Sequence, residues 1–123
     1  MSKFKPLRKG QVEILQALRV CHRMGWAGLT ARQCAEAMSI RTNGEPHMGW
    51  FSNHMLGYCY GGGGEVAKGE GRDSHGLLNR RCVRVEYDVE TDLGKKDIYS
   101  ITKTGMKVLW EYEDSHSIKA LFA

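Results

Sequence analysis

Arg80, Arg81 and Arg84 straddle the start of a run of alternating valines, and Lys95 and Lys96 follow it, so the segment carries fixed positive charge at both ends. Cations held beside an extended hairpin are suited to neutralising phosphate oxygens, a contact that positions a protein on a nucleic acid without reading its sequence. Upstream, Trp50, Asn53 and His54 share one face if the segment around them is helical. An asparagine amide can pair with adenine through two hydrogen bonds, and Ser52, His54 or His47 can reach phosphates or bases in a major groove. The candidate base-contacting set is therefore Trp50, Asn53 and His54, and the candidate phosphate-contacting set is Arg32, Arg41, Arg72, Arg81, Arg84, Lys95 and Lys96. The same residues also fit a plainer account: a solvated Asn and His, a Trp50 folded back onto the core, and arginines paired with Glu86, Asp88 or Glu90.

Catalytic chemistry has little support. His22, His47, His54, His75 and His116 are far apart, with no His-x-x-x-His or Cys-x-x-Cys spacing and no serine in a nucleophile elbow. Cys21, His22, Cys34 and Cys59 can meet at a zinc only if three helices converge on it, and buried reduced thiols explain the same cysteines without a metal. The glycine-rich stretch from Gly61 to Gly71 lacks the Gly-Lys-Ser/Thr ending of a phosphate-cradling loop. The expectation is a protein that is not an enzyme, with no cofactor and no metal.

The elements that must hold the candidate residues follow from periodicity. A first helix is expected from Leu7 or Lys9 to about Met24, with Leu7, Ile14, Leu15, Leu18 and Cys21 on one stripe, Val12 and Met24 at its margins, and Gly25 as its stop. Thr30 and Gln33 stand at capping-box spacing before a short second helix with a small-residue stripe of Cys34, Ala35, Ala37 and Met38. Arg41 to Glu45 is turn chemistry, and Pro46 fits the first turn of a third helix over 46–60. There Met48, Phe51, Met55 and Cys59 form the buried face, opposite Trp50, Asn53, His54 and Gly57. A flexible glycine-rich insertion is expected over 61–73, then a helical turn from Ser74 to Asn79.

From Cys82 to Val89, Val83, Val85, Tyr87 and Val89 alternate with polar residues, the mark of a strand with one buried face. A turn over Thr91–Lys96 places both lysines at its tip, and a second strand runs from Asp97 to Ile101, giving a two-stranded wing over 88–97. Thr102 or Thr104 then caps a helix over 103–123 with Met106, Leu109, Trp110 and Tyr112 at helical spacing. Its apolar residues, among them Val108, Ile118, Leu121 and Phe122, exceed what a monomer needs and suggest a dimer arm.

With 123 residues, 41% of them apolar, the chain holds one domain's core, spanning 1–123. A formal charge of +4 permits nucleic-acid binding without requiring it. No stretch approaches the roughly 18 apolar residues of a membrane span, and the N-terminal segment lacks the apolar run of a leader. A cytoplasmic protein with no membrane partner is expected.

In this order of elements the chain resembles the winged helix-turn-helix superfamily, particularly small bacterial and phage regulators of the MarR and PadR type. The resemblance rests on Gly76-Leu77-Leu78-Asn79-Arg80-Arg81, similar to a recognition unit entering a wing, and on Ile98-Tyr99-Ser100-Ile101-Thr102-Lys103-Thr104-Gly105, similar to the return strand and a Thr-x-x-Gly helix start. It covers residues 7 to 112. The fold it implies is α+β, with three N-terminal helices, a two-stranded wing and a C-terminal helix. The function it implies is a homodimeric transcriptional regulator contacting double-stranded DNA through helix 46–60 and the wing. The alternative is a winged-helix module that binds a host or phage protein, such as a phage-encoded inhibitor or an assembly adaptor. The glycine-rich insertion and the absence of Arg or Lys between His47 and Tyr60 favour that alternative.

Overall fold

The computed structural model describes residues 6–51, 76–78 and 80–122, with 117–122 as backbone only. The fold is mixed α+β. Helix α1 (Lys9–Arg23) leads through strand β1 (Leu29–Thr30) into helix α2 (Ala31–Ala37), followed by a two-residue-per-strand hairpin of β2 (Arg41–Thr42) and β3 (Glu45–Pro46). Residues 48–51 are helical. Strands β4 (Val83–Thr91) and β5 (Gly94–Ile101) form a long hairpin, and helix α3 (Lys103–Phe122) follows.

α1 buries Val12, Ile14, Leu15, Leu18 and Cys21 along one stripe, and the buried Gln11 carboxamide oxygen accepts from the Arg8 amide at 2.9 Å. The helix stops where expected. Gly25 sits at φ 77, and its N–H and that of Trp26 return to the carbonyls of His22 and Cys21, the paired bonds of a left-handed helix ending. At α2 the capping box forms as its spacing predicts: Thr30 Oγ1 accepts from the Gln33 amide at 3.2 Å, and Gln33 Oε1 accepts from the Thr30 amide at 3.0 Å.

The region after α2 departs from expectation. Arg41 to Glu45 is not a simple turn before a helix but a small hairpin, with Asn43 at φ 51 and Gly44 at φ 82 in the left-handed pair that tight hairpins require. Pro46 belongs to β3, so helix geometry begins at Met48 rather than at residue 46. Phe51 is buried as expected, whereas Met48, assigned by periodicity to the same face, is exposed.

The sheet has three antiparallel strands in the order β1-β5-β4. Two strands were expected; the third, β1, is only two residues long, and its pairing of Leu29 with Tyr99 and Thr30 with Ile98 has no signature at that length. The long hairpin also runs further than expected, with the tip at Asp92–Leu93 and Thr91 opposite Gly94. Lys95 and Lys96 are therefore strand residues, not the turn itself. Val83 and Val85 pair with Ile101 and Tyr99 on the core face, but the register slips between Glu86 and Val89, where Asp88 takes φ 53 and its amide donates to Asp97 Oδ1 at 3.2 Å. One extra residue there reverses the alternation. Tyr87, expected to be buried, is 65% exposed, and Val89 moves to the face of Lys96.

The core joins α1 and α2 to Phe51, Leu77, Cys82, the base of the hairpin and Leu109 of α3. Phe51 meets Tyr99 edge to face with ring centroids 5.6 Å apart. α3 starts on Thr102, whose Oγ1 accepts from the Gly105 amide at 3.0 Å, so Thr102 rather than Thr104 is the cap. A Cβ on Gly105 would lie 2.2 Å from the Cys82 carbonyl oxygen, so glycine at this place lets the helix press onto the start of β4. Leu109 is buried, but Trp110 is 63% exposed.

Candidate nucleic-acid interface

The candidate residues fall into separate neighbourhoods. Trp50 is exposed on the first helical turn after β3, its amide donating to His47 Nδ1 at 3.1 Å and its ring set edge to face against the His47 imidazole at 6.3 Å. His47 thus acts as the helix cap, and the nitrogen it uses there is not free for a base or phosphate. Asn53, His54, Arg72, Cys59 and the glycine-rich insertion 61–73 lie outside the described residues.

Two of the expected phosphate ligands have internal partners. Arg32 Nε bonds Glu36 Oε1 at 3.1 Å and Arg32 Nη2 bonds Glu45 Oε2 at 2.7 Å, joining α2 to β3 on the surface. These hydrogen bonds, Glu36 first and then Glu45, raise the guanidinium above its ordinary pKa. Arg41 turns back onto the end of α2, donating to the carbonyls of Glu36 at 2.9 Å, Ile40 at 3.2 Å and Met38. It completes helix-terminal acceptors that would otherwise face water. Sequence spacing gave no warning of this, because the tight Asn43-Gly44 turn brings Glu45 to Arg32 and the Arg41 fork to the carbonyls.

Arg81, Lys95 and Lys96 are exposed. Arg81 has φ 60, and its amide and that of Cys82 return to the carbonyls of Leu78 and Leu77, each at 3.0 Å. This is the left-handed ending seen at Gly25, here with an arginine in the position glycine normally takes. Lys95 and Lys96 follow the tip on opposite faces of β5, beside the 83% exposed Leu93. The tip is pinned by Thr91, whose Oγ1 donates to the Gly94 carbonyl at 2.6 Å and accepts from the Leu93 amide at 3.2 Å. Arg84 lies elsewhere. It faces away from the core valines, opposite Ser100, and lines a cavity with His22, Trp26 and Lys103 rather than pairing with Glu86, Asp88 or Glu90.

Three cysteines, Cys21, Cys34 and Cys82, are buried free thiols. Burial raises all three; Cys34 is pushed up to about 12, with Cys21 adding a smaller effect, and Cys82 is partly offset by Arg80. Thiols in this state are poor nucleophiles at neutral pH. Tyr99 is likewise raised, by burial first and then by Asp97. No helix among the described residues is long and apolar enough to cross a membrane.

No protein-family model, curated protein or solved structure matches this chain.

Proposed function

We propose that the chain is a winged-helix protein that binds double-stranded DNA, a small transcriptional regulator rather than an enzyme. The observation that carries this is the sheet order β1-β5-β4 with α1, α2 and the helix beginning at Met48 packed on its core face, leaving a long β4–β5 hairpin whose outer half is solvent-exposed and carries Lys95 and Lys96 just after its tip. In that arrangement the helix containing Trp50 is the part offered to a major groove and the hairpin is the wing beside the phosphates. Arg81, at the neck of the hairpin, joins one of the two lysines, which lie on opposite faces of β5, as a phosphate ligand. Arg32 and Arg41 contribute field rather than direct contact, because their forks already hold protein acceptors. α3, with Trp110 exposed, serves as the arm of a C2 dimer, and sedimentation at micromolar concentration giving monomer mass removes this part of the proposal.

A second reading is favoured by the exposed aromatic residues Trp50 and Tyr87 and by Leu93 at the hairpin tip: a module that docks on another protein. Fluorescence anisotropy with a mixed-sequence duplex separates the two. Affinity that falls steeply with salt supports DNA binding through several neutralised phosphates, and no binding at low salt replaces it with the protein-docking reading.

A further inference from the structure

A cavity of about 410 Å³ opens between the end of α1, the connection to β1, the outer face of β4 and β5, and the start of α3. One side of its wall is apolar. Leu18, Cys21 and Ile101 form it from the core, and Trp26, 56% exposed, stands where the cavity meets solvent. The other side carries Arg84, with Ser100 directly across the strand pair, and Lys103, the first residue of α3. His22 adds an imidazole from α1.

Aspartate and glutamate are absent from the lining, and neither Arg84 nor Lys103 forms an ion pair among the described residues. Two fixed cations line the same cavity with no acidic residue in its lining, a field that attracts an anion. The arginine fork matches the two oxygens of a carboxylate, and the N-terminal end of the long helix α3 adds positive potential beside Lys103. The apolar wall opposite has no use for an inorganic ion but suits a ring or a short hydrocarbon. The volume falls in the lower part of the range for small-molecule sites.

We propose that this cavity binds a small organic carboxylate with an apolar or aromatic body. The carboxylate lies on Arg84 and Lys103, and the body lies between Trp26 and the wall of Leu18, Cys21 and Ile101. The site is independent of the DNA-binding proposal, since its lining includes none of Trp50, Arg81, Lys95 and Lys96.

Isothermal titration of the full chain with benzoate, its neutral analogue benzamide, and inorganic phosphate tests this directly. Benzoate should bind, and benzamide should bind about tenfold more weakly or worse, because the charge-assisted hydrogen bonds are lost. Arg84→Gln and Lys103→Gln should each weaken benzoate by about tenfold, while Arg32→Gln leaves it unchanged. Trp26→Ala should weaken benzoate but not phosphate. Arg84 and Trp26 are exposed, so their variants should melt like the parent; amide shifts on the parent chain that cluster at residues 100–103 provide a reading independent of any variant. No benzoate binding, equal binding of benzamide, or benzoate affinity that ignores both Arg84→Gln and Trp26→Ala would overturn the proposal.

Discussion

Arg19 grips Glu113 through both guanidinium nitrogens, Nη1 to Oε1 at 2.5 Å and Nη2 to Oε2 at 2.7 Å, while Gln16 Nε2 adds a third bond to Oε2 at 3.1 Å. The pair crosses from α1 to α3, 94 residues apart in sequence, and fixes how the C-terminal helix lies on the first. Both side chains are mostly shielded from water, so the two-point geometry retains value that a surface pair loses.

Arg19→Ala should therefore lower stability by about 1 to 2 kcal/mol, read from urea midpoints. The Glu113 carboxyl is held below its ordinary value, first by the Arg19 hydrogen bond, then against a smaller opposing effect of burial, with Gln16 helping to lower it. Its contribution is fully present above the usual carboxylate range and is lost as pH falls through that range to the lowered folded value. Glu113→Gln should remove this part of the acid-side decline; an unchanged pH profile would show the grip is not maintained in solution.

Gly105→Ala should cost at least about 3 kcal/mol, because the added carbon meets the backbone oxygen of Cys82 and the helix must move as a body. Gly44→Ala provides the contrast. Nothing lies within 4 Å of its would-be Cβ, so only the left-handed backbone at φ 82 is penalised, by about 1 to 2 kcal/mol. Thermal melts that rank Gly44→Ala as the worse variant would contradict the packing of α3.

Phe51→Ala should cost about 3 to 5 kcal/mol by emptying the space against Tyr99. If the helix reads bases, Asn53→Ala should lose about 1 to 3 kcal/mol of preference for a selected duplex over a scrambled one. Retained discrimination in Asn53→Ala would remove this residue as a reader.

Lys95 and Lys96 point to opposite sides of β5, so the two should not behave alike. One of the single alanine variants should flatten the salt dependence of duplex binding by about one phosphate and the other should leave it unaltered. Arg81→Gly is informative at the same neck. Relief of φ 60 should raise stability by up to about 1 kcal/mol while the lost cation weakens binding to every duplex. A variant that is neither more stable nor weaker in binding would place Arg81 outside the interface.

Much of the frame was legible because it is written in short-range chemistry. Thr30 with Gln33, Gly25 after a helical stripe, and Thr102 with Gly105 each act within a few residues; the first two appear where their spacing predicts, and the third decides between Thr102 and Thr104 as the cap. What escaped depends on neighbours far along the chain or on a single residue of slippage. β1 is too short to alternate and exists only because Tyr99 and Ile98 lie beside it. The bulge at Tyr87–Asp88 has the same residue types as continued alternation, so the pattern predicts a buried Tyr87 where the strand exposes it. At the candidate interface, the charge of Arg32 and Arg41 was visible, but their engagement by Glu45 and by the α2 carbonyls needed the fold.

The hairpin's two ends are tied together at its neck. The Thr102 amide donates to the Cys82 carbonyl at 3.0 Å and the Thr102 hydroxyl to the Arg81 carbonyl at 2.6 Å, so everything between them is a closed loop whose ends are held by the body of the protein. Lengthening such a loop from its tip adds little closure entropy and leaves the knot untouched. The hairpin is in this sense an exchangeable cassette: residues can be inserted at Asp92–Leu93, or its outer half replaced, and the helices beneath will keep their arrangement.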